Sequence, residues 1–561
     1  MRKNSSDFSR VKLRARDVPE LGTLKDLVRF VARRYADDAA YIIPGPEGET
    51  QKSFRAFAED IDALGAALFG LGLKDCHIAI LGGNSYAWIV SYFAVANGGN
   101  TAVPLDRDLP AEELAPMIEH SNCAALIYAP DYEDMLPCFR EKTGPLQYIR
   151  MGMDEMEALL AQGRRLIEAG GNDHTNYVPL PHSLAAIVYT SGTTGKSKGV
   201  MLTHRNIAAD AASICRVLSG AGRGVLALPL HHTFGLLGNV IVPLMYGGCV
   251  YISKSVRTVQ KDLVRIKATA AVFVPVILET IYKKMWETAE RASRAEKMRK
   301  GLRLSRFLMK LGIDVRRRIF RELHDMLGGE LYLIVCGGAP LNERIVADFC
   351  AMGIDVLNGY GITECAPVVS INPQRGNRIG SAGLPLDCCR VRIDAPDENG
   401  VGEIQVKGDN VMPGYYEDER ETRAAFTQDG WFKTGDLGTL DKGGYLYVTG
   451  RIKHLIILGN GKNVSPEGLE EKIKLIPGVS EIAVYAEEDR IVAEVYADPG
   501  AGPEAEAAIR GAILAMNRGQ PAYKHIAIVK FRDTEFPKTT TMKIKKQAIG
   551  GDERHGEKLH H

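Results

Sequence analysis

Apolar residues at positions 57, 61, 64, 68 and 71 fall three or four apart. That spacing marks one face of a helix, and Gly72 stands where a C-cap would end it. The run IAIL at 78–81 is short and wholly apolar, the signature of a buried strand. A helical stretch follows at 86–96, then Gly98-Gly99, a strand at 101–104 and another at 124–128. This alternation predicts a mostly parallel sheet with helices on both faces. The strand at 185–189 (AAIVY) runs directly into a Gly/Ser/Thr loop. A long, basic helical segment is predicted over 278–326, and the sheet resumes at 331–335. From 391 the pattern changes to short alternating strands at 391–393, 403–406 and 445–448, a smaller β-rich subdomain. After Arg451 a new α/β pattern starts, with a helix at 466–475, strands at 481–485 and 491–496, and a helix at 504–517. The tail from 550 is polar and reads as mobile, and no internal repeat is visible.

Composition narrows the class. Of 561 residues, 45% are hydrophobic and 25% charged, which excludes a mainly disordered or fibrous chain. The net charge of +1 gives no global field toward nucleic acid. No apolar run reaches the ~20 residues of a membrane span. The longest candidate, 236–252, is broken by Gly238, Asn239, Pro243, Gly247 and Gly248. The N-terminus has basic residues with no apolar core after them, so it does not read as a secretory signal. The ten cysteines make no CxxC pair, and Cys388 and Cys389 are adjacent. They read as reduced thiols of a cytosolic protein, and not as a disulfide framework or zinc site.

The densest chemistry lies at 190–199, TSGTTGKSKG. Glycines let backbone N–H groups turn toward an anion, hydroxyls add donors, and lysines supply charge. Such a loop suits a polyphosphate. It is not a Walker A sequence, because Gly192 and Gly195 leave two residues between them where four are required.

This loop resembles the phosphate loop of the adenylate-forming (AMP-binding) enzymes, and the resemblance runs from roughly residue 20 to 548. It is nearest to the long-chain fatty acyl-CoA synthetases. In that family the loop residues Thr190, Ser191, Gly192, Thr193, Thr194, Gly195, Lys196 and Lys198 would hold the ATP phosphates. The segment LPLHHTFG at 228–235 resembles the motif bordering the acyl site, with His232 as a wall of the carboxylate site. CGGAPL at 336–341 resembles the backbone lining of the adenine pocket, through Gly338, Ala339 and Pro340. NGYGITE at 358–364 resembles the YGxTE motif. The resemblance makes Asn358, Tyr360 and Gly361 nucleotide-binding, places Thr363 on the α-phosphate, and gives Glu364, with Thr190, to Mg²⁺. An aromatic face suits a base and a hard carboxylate suits Mg²⁺. WFKTGDLG at 431–438 implies that Asp436 takes the ribose hydroxyls. YVTGRIK at 447–453 implies that Arg451 reaches ribose or phosphates and that Lys453 is a hinge. Gly461 belongs to a loop facing the thiol acceptor, and Lys543 takes the catalytic lysine position. Residue 542 is Met where the motif usually has Gly, a departure shared by the long-chain branch.

The expected fold is therefore α/β: a large N-terminal adenylation domain of α/β sheets plus a β-rich subdomain over 1–451, then a small mobile α+β C-terminal domain over 452–561. The expected enzyme is an AMP-forming ligase using ATP, Mg²⁺ and coenzyme A on a medium- or long-chain carboxylic acid. Acyl-AMP formation alone, or loading of an acyl carrier protein, is an alternative, as is an inactive nucleotide- or lipid-binding protein. The apolar stretch 233–282 is core that, by resemblance, also lines an acyl tunnel. Residues 283–321 hold 14 Lys or Arg against 4 Asp or Glu. That excess is either a solvated face or a contact for anionic lipid or coenzyme A phosphates. A cytoplasmic location is expected, with peripheral contact at the inner membrane face left open and no nucleic-acid partner.

Overall fold

The computed structural model describes residues 17–190, 197–218, 220, 222–459, 462–502, 504–538, 544 and 557–558. By its internal contacts the chain divides into two units. One comprises 1–391 and 406–432, the other 392–405 and 433–561.

In the first unit, a six-stranded sheet has the order Gln147–Arg150, Cys123–Tyr128, His77–Leu81, Thr101–Pro104, Leu184–Thr190, Lys198–Thr203. All neighbours are parallel except the last pair, a hairpin. The expected βα rhythm is present. Ser53 caps helix Phe54–Gly70 by accepting from the Ala56 N–H, and Phe57, Ile61, Leu64 and Leu68 are fully buried along one side. Gly72, at φ +83°, ends the turn after it as the sequence predicts. Helix Tyr86–Asn97 is buried on nearly every side, as an element within a sandwich of helices and sheet must be.

A five-stranded sheet follows in the order Ala270–Phe273, Leu333–Gly337, Asp355–Gly361, Val368–Ile371, Leu384–Pro385. Its first three strands are parallel and the rest antiparallel. Phe273, Leu278, Phe349 and Met352 are fully buried beside it, each worth about 1.5–3 kcal/mol. A four-stranded sheet pairs Gly48–Ser53, Ala39–Gly45, Cys249–Ile252 and Arg223–Leu226. The basic segment expected over 278–326 is four helices, Pro275–Arg291, Ala295–Lys310, Arg316–Ile319 and Arg321–Met326. Left-handed residues at two of the joints, Ser293 and Gly312, break what the periodicity left continuous.

In the second unit, Val479–Glu487 pairs antiparallel with Arg490–Ala497, which pairs parallel with Ile526–Arg532. Helices Pro466–Lys474 and Ala505–Arg518 bury Ile473, Ile509 and Ile513 in the same cluster as Ile482 and Val495. All ten cysteines are free thiols. Among the described residues, no helix is long and apolar enough to cross a membrane.

Candidate functional site

Strand Leu184–Thr190 and its antiparallel partner Lys198–Thr203 bring Thr190 opposite Lys198, at the base of the Gly/Ser/Thr loop. Ser191, Gly192, Thr193, Thr194, Gly195 and Lys196 lie outside the described residues. The segment 414–416 adds to the free edge of this hairpin. The Met201 N–H donates to the Gly414 carbonyl at 3.1 Å, and the Tyr416 N–H to the Gly199 carbonyl at 2.8 Å. Tyr415 is thereby set between two predicted groups. Its ring lies 4.9 Å from the Lys198 ammonium, and its hydroxyl donates to Glu364 Oε1 at 3.0 Å. Lys198 also pairs with Glu421. Burial, followed by the neighbouring Glu364 charge, raises the Tyr415 pKa, so the phenol keeps its proton and stays a donor.

Glu364 sits in a short turn, Thr363–Cys365, beyond strand Asp355–Gly361. The Met412 N–H holds its carbonyl at 2.9 Å, and the Ile362 N–H donates to the Pro367 carbonyl at 2.8 Å. Gly361 must be glycine, because a Cβ there would collide with that same Pro367 carbonyl. Asn358, Tyr360, Gly361, Thr363 and Glu364 are all half-buried, accessible to a ligand yet fixed from behind. The Asn358 amide donates to the Ser381 carbonyl at 3.0 Å. Gly337 and Gly359 are register partners, so the Gly338–Pro340 loop leaves its strand beside NGYG. Gly338, at φ +83°, makes that exit.

The LPLHH loop is held by two asparagines. Asn84 donates to the Leu228 carbonyl at 2.9 Å and accepts from the Leu230 N–H at 3.2 Å. Asn239 Oδ1, from a π-helical turn at Leu237–Ile241, accepts from the Ala227 and Leu228 N–H groups. His231 is buried, with Nε2 3.2 Å from Asp106 Oδ1. The His231 and His232 rings are 4.3 Å apart. Their ligand atoms and that of Asp106 lie within 4.8 Å of one another. A small pocket is lined by His231, Thr233, Leu236 and Ala366, so the histidine loop and the segment after Glu364 border one space.

In the second unit, the antiparallel pair Phe432–Leu440 and Leu446–Arg451 sets Asp436 opposite Arg451. Arg451 Nε meets the buried Asp436 Oδ1 at 2.8 Å, with the guanidinium half-exposed. Thr434 Oγ1 donates to the Ile404 carbonyl at 2.7 Å, and the Gly435 N–H to Glu403 at 3.1 Å, which fixes the turn ahead of Asp436. Lys453 lies in the short turn Ile452–His454. His454 Nδ1 is 2.6 Å from Glu467, and Ser465 Oγ donates to the Thr449 carbonyl at 2.8 Å. Gly461 and Lys543 lie outside the described residues.

Tyr415, Glu421, Asn84, Asn239 and Asp106 were not singled out from the sequence. PGYY at 413–416 carries a turn signal and two aromatic residues, but its meaning comes from a pairing with a strand far back in the chain. The donor chemistry fits a divalent cation at Glu364. It is a hard carboxylate, and its Oε2 has no hydrogen-bond partner among the described residues.

The chain belongs to the AMP-binding enzyme family, whose model matches residues 28–416. It is 28% identical to the long-chain-fatty-acid–CoA ligase FadD15 of Mycobacterium bovis, over 88% of this chain and 89% of that one. It is 26% identical to the chloroplastic long-chain-fatty-acid–[acyl-carrier-protein] ligase AEE15 of Arabidopsis thaliana, over 84% and 75% respectively. Among solved structures it is similar to ATP-bound MatB of Rhodopseudomonas palustris, at 25% identity and a TM-score of 0.73, covering 93% of this chain and 97% of that one.

Proposed function

We infer that the protein is an AMP-forming acid–thiol ligase. It joins a medium- or long-chain carboxylic acid to AMP with release of pyrophosphate, then passes the acyl group to coenzyme A with release of AMP. The observation that carries this reading is the Tyr415 bridge, which gathers the foot of the phosphate loop and Glu364 into one place. Family membership and the long-chain-fatty-acid–CoA ligase relatives support it.

The chemistry asks for little beyond positioning and charge. A carboxylate and a triphosphate repel, and the carboxylate is a weak nucleophile. Thr190, Lys198 and the loop between them hold the β- and γ-phosphates, so pyrophosphate is the leaving group. Thr363 donates to the α-phosphate, and Tyr360 stacks on adenine beside the Gly338–Pro340 backbone. Asp436 and Arg451 take the ribose hydroxyls. Glu364 and Thr190 would hold Mg²⁺, which neutralises phosphate charge. His232 walls the carboxylate site. Lys543 bridges the carboxylate and the α-phosphate as the new bond forms. In the second half-reaction the domain after 451 turns about Lys453, removing Lys543 and presenting the Gly461 loop to the thiol.

The acyl chain has a candidate space. A small pocket lies against Gly224, Gly238, Val242, Tyr246 and Val272, within and beside the apolar stretch expected to line a tunnel. The similarity to AEE15 supports a second reading, in which the acceptor is the phosphopantetheine thiol of a carrier protein. The basic segment 283–321 is assigned to peripheral contact with an anionic membrane. One assay tests the function. ATP, Mg²⁺ and acids of graded chain length are supplied with and without coenzyme A, and pyrophosphate, AMP and ADP are measured. Pyrophosphate and acyl-CoA are expected. ADP instead of AMP would place the protein with kinases, and no turnover with any acid would leave a binding protein.

A further inference from the structure

Helix Ala295–Lys310 has two dissimilar sides. Its inner side is fixed: Leu302 is buried, Ser305 Oγ donates to the Ala351 carbonyl at 2.5 Å, and Arg306 pairs with the buried Asp348. Its outer side is apolar where water should favour charge. Leu304 is 51% exposed, Phe307 60% and Leu311 59%. Their spacing of three and four puts them on one stripe, and Ile313 extends it at 48%. Among the described residues, seventeen large apolar side chains are exposed, and five of them fall between 304 and 313. Scattered exposed apolar residues need no explanation, whereas a concentration of this kind does.

The charge around the stripe is of one sign. Lys297 and Lys300 lie on the same face toward the N-terminus, and Arg303 and Lys310 flank it. All four are exposed and have no acidic partner among the described residues. Other cations of the segment are already used. Arg294 pairs with Glu322, Arg299 with Glu296, and Arg306 with Asp348. An apolar stripe rimmed by unpaired cations matches the boundary between anionic headgroups and acyl chains.

We propose that the outer face of helix Ala295–Lys310, with the turn through Ile313, seats on an anionic bilayer, with Leu304, Phe307 and Leu311 below the headgroups and Lys297, Lys300, Arg303 and Lys310 among the phosphates. The proposal sharpens the fatty-acid reading and rests on it for its purpose, since a long-chain acid partitions into bilayers and would be collected there.

The test uses full-length protein and vesicles, without ATP or acid. Sedimentation measures binding to phosphatidylcholine alone and to phosphatidylcholine with about one-third phosphatidylglycerol. The parent is expected to bind the anionic vesicles at least about tenfold more tightly, and less so as salt rises. Leu304→Ser/Phe307→Ser should weaken that binding about tenfold or more while leaving the melting temperature and turnover of a water-soluble short acid unchanged. Arg303→Glu/Lys310→Glu should remove the preference for anionic lipid. Equal binding to both vesicle types, or full binding by the double serine variant, overturns the proposal. So does release from vesicles by coenzyme A, which would give the cations to its phosphates, or self-association abolished by the serine pair, which would give the stripe to a second copy. A protein that binds vesicles and makes no acyl-AMP keeps this inference and loses the ligase reading; one that makes acyl-CoA and ignores vesicles does the reverse.

Discussion

Tyr415 couples two groups of opposite charge without belonging to either. Its ring faces the Lys198 ammonium while its hydroxyl serves Glu364, so the cation and the carboxylate are held close without forming a direct ion pair. That leaves the second carboxylate oxygen of Glu364 open to a charged ligand, while Lys198 is held by its ion pair with Glu421. The task proposed for Lys543 is different, to calm the approach of two anions. A unit charge pair at ~4 Å is worth ~4 kcal/mol at an effective dielectric near 20. Lys543→Ala should therefore slow acyl-AMP formation on the order of a hundredfold or more, read by pyrophosphate release. Thioester formation from supplied acyl-AMP should be nearly unaffected. An alanine variant that makes acyl-AMP at the parental rate would remove Lys543 from the chemistry. Gly361 is constrained by space alone. In Gly361→Ala the new methyl meets the Pro367 carbonyl, so the Thr363–Glu364 turn must move. A misplacement of about 1 Å can cost a hundredfold in rate, and adenylation should fall by at least about tenfold with folding retained. Unchanged adenylation would show that the turn is not part of the machinery.

At the level of elements, the first unit buries His204 and His174 among its histidines in surroundings that do not tolerate their charge. His204 accepts from the Leu24 N–H at 3.3 Å and His174 Nε2 lies 3.0 Å from the Ala94 carbonyl. Burial lowers each pKa from 6.5 to about 4, and Asp62, 3.8 Å from His174, does not offset it. Between pH 6.5 and 4 the unfolded chain binds the extra proton and the folded chain does not. Stability is thus complete above the unfolded pKa and is lost as pH falls through that window, by up to about 1.4 kcal/mol per pH unit for each histidine. The melting temperature should drop between pH 7 and 5, and His204→Gln should shallow the drop. Identical slopes would show that His204 is not the group that titrates. Neither histidine is visible as buried from its sequence neighbours, because burial is set by distant elements. The same limit governs the rest of the chain. Helix Phe54–Gly70 and the strands at 77–104 were legible, since their periodicity and a terminal glycine are local signals. Strand Gly48–Ser53, GETQKS, has no apolar alternation and exists because Ala39–Gly45 pairs with it. The motif residues 358–364 were legible from order and residue type. Asn84 and Asn239, which hold the LPLHH loop, were not, since an isolated asparagine carries no sign of the backbone it will meet.

For the whole molecule, the open question is how one set of ligands serves two half-reactions. In the proposed reaction Lys543 and the Gly461 loop, both in the sequence after 451, act at different steps. The segment linking them to Asp436 and Arg451 is short: strand Leu446–Arg451 passes straight into the turn Ile452–His454, closed by the Leu455 N–H on the Ile452 carbonyl at 3.3 Å. Thr449 and Ser465, and His454 and Glu467, then bond across it. A swing about Lys453 has to change the dihedrals of this turn. Proline at 453 would remove one backbone donor and push residue 452 out of the helical region. Lys453→Pro should therefore impair transfer to coenzyme A more than adenylation, by about tenfold or more in the ratio of the two rates, whereas Lys453→Ala should leave the ratio near the parental value. The two rates are separable: pyrophosphate exchange reports the first, and acyl-CoA formed from supplied acyl-AMP reports the second. Equal loss in both half-reactions would place the defect in folding or in nucleotide binding and not in a hinge, and the swing would then have to be sought elsewhere in the chain.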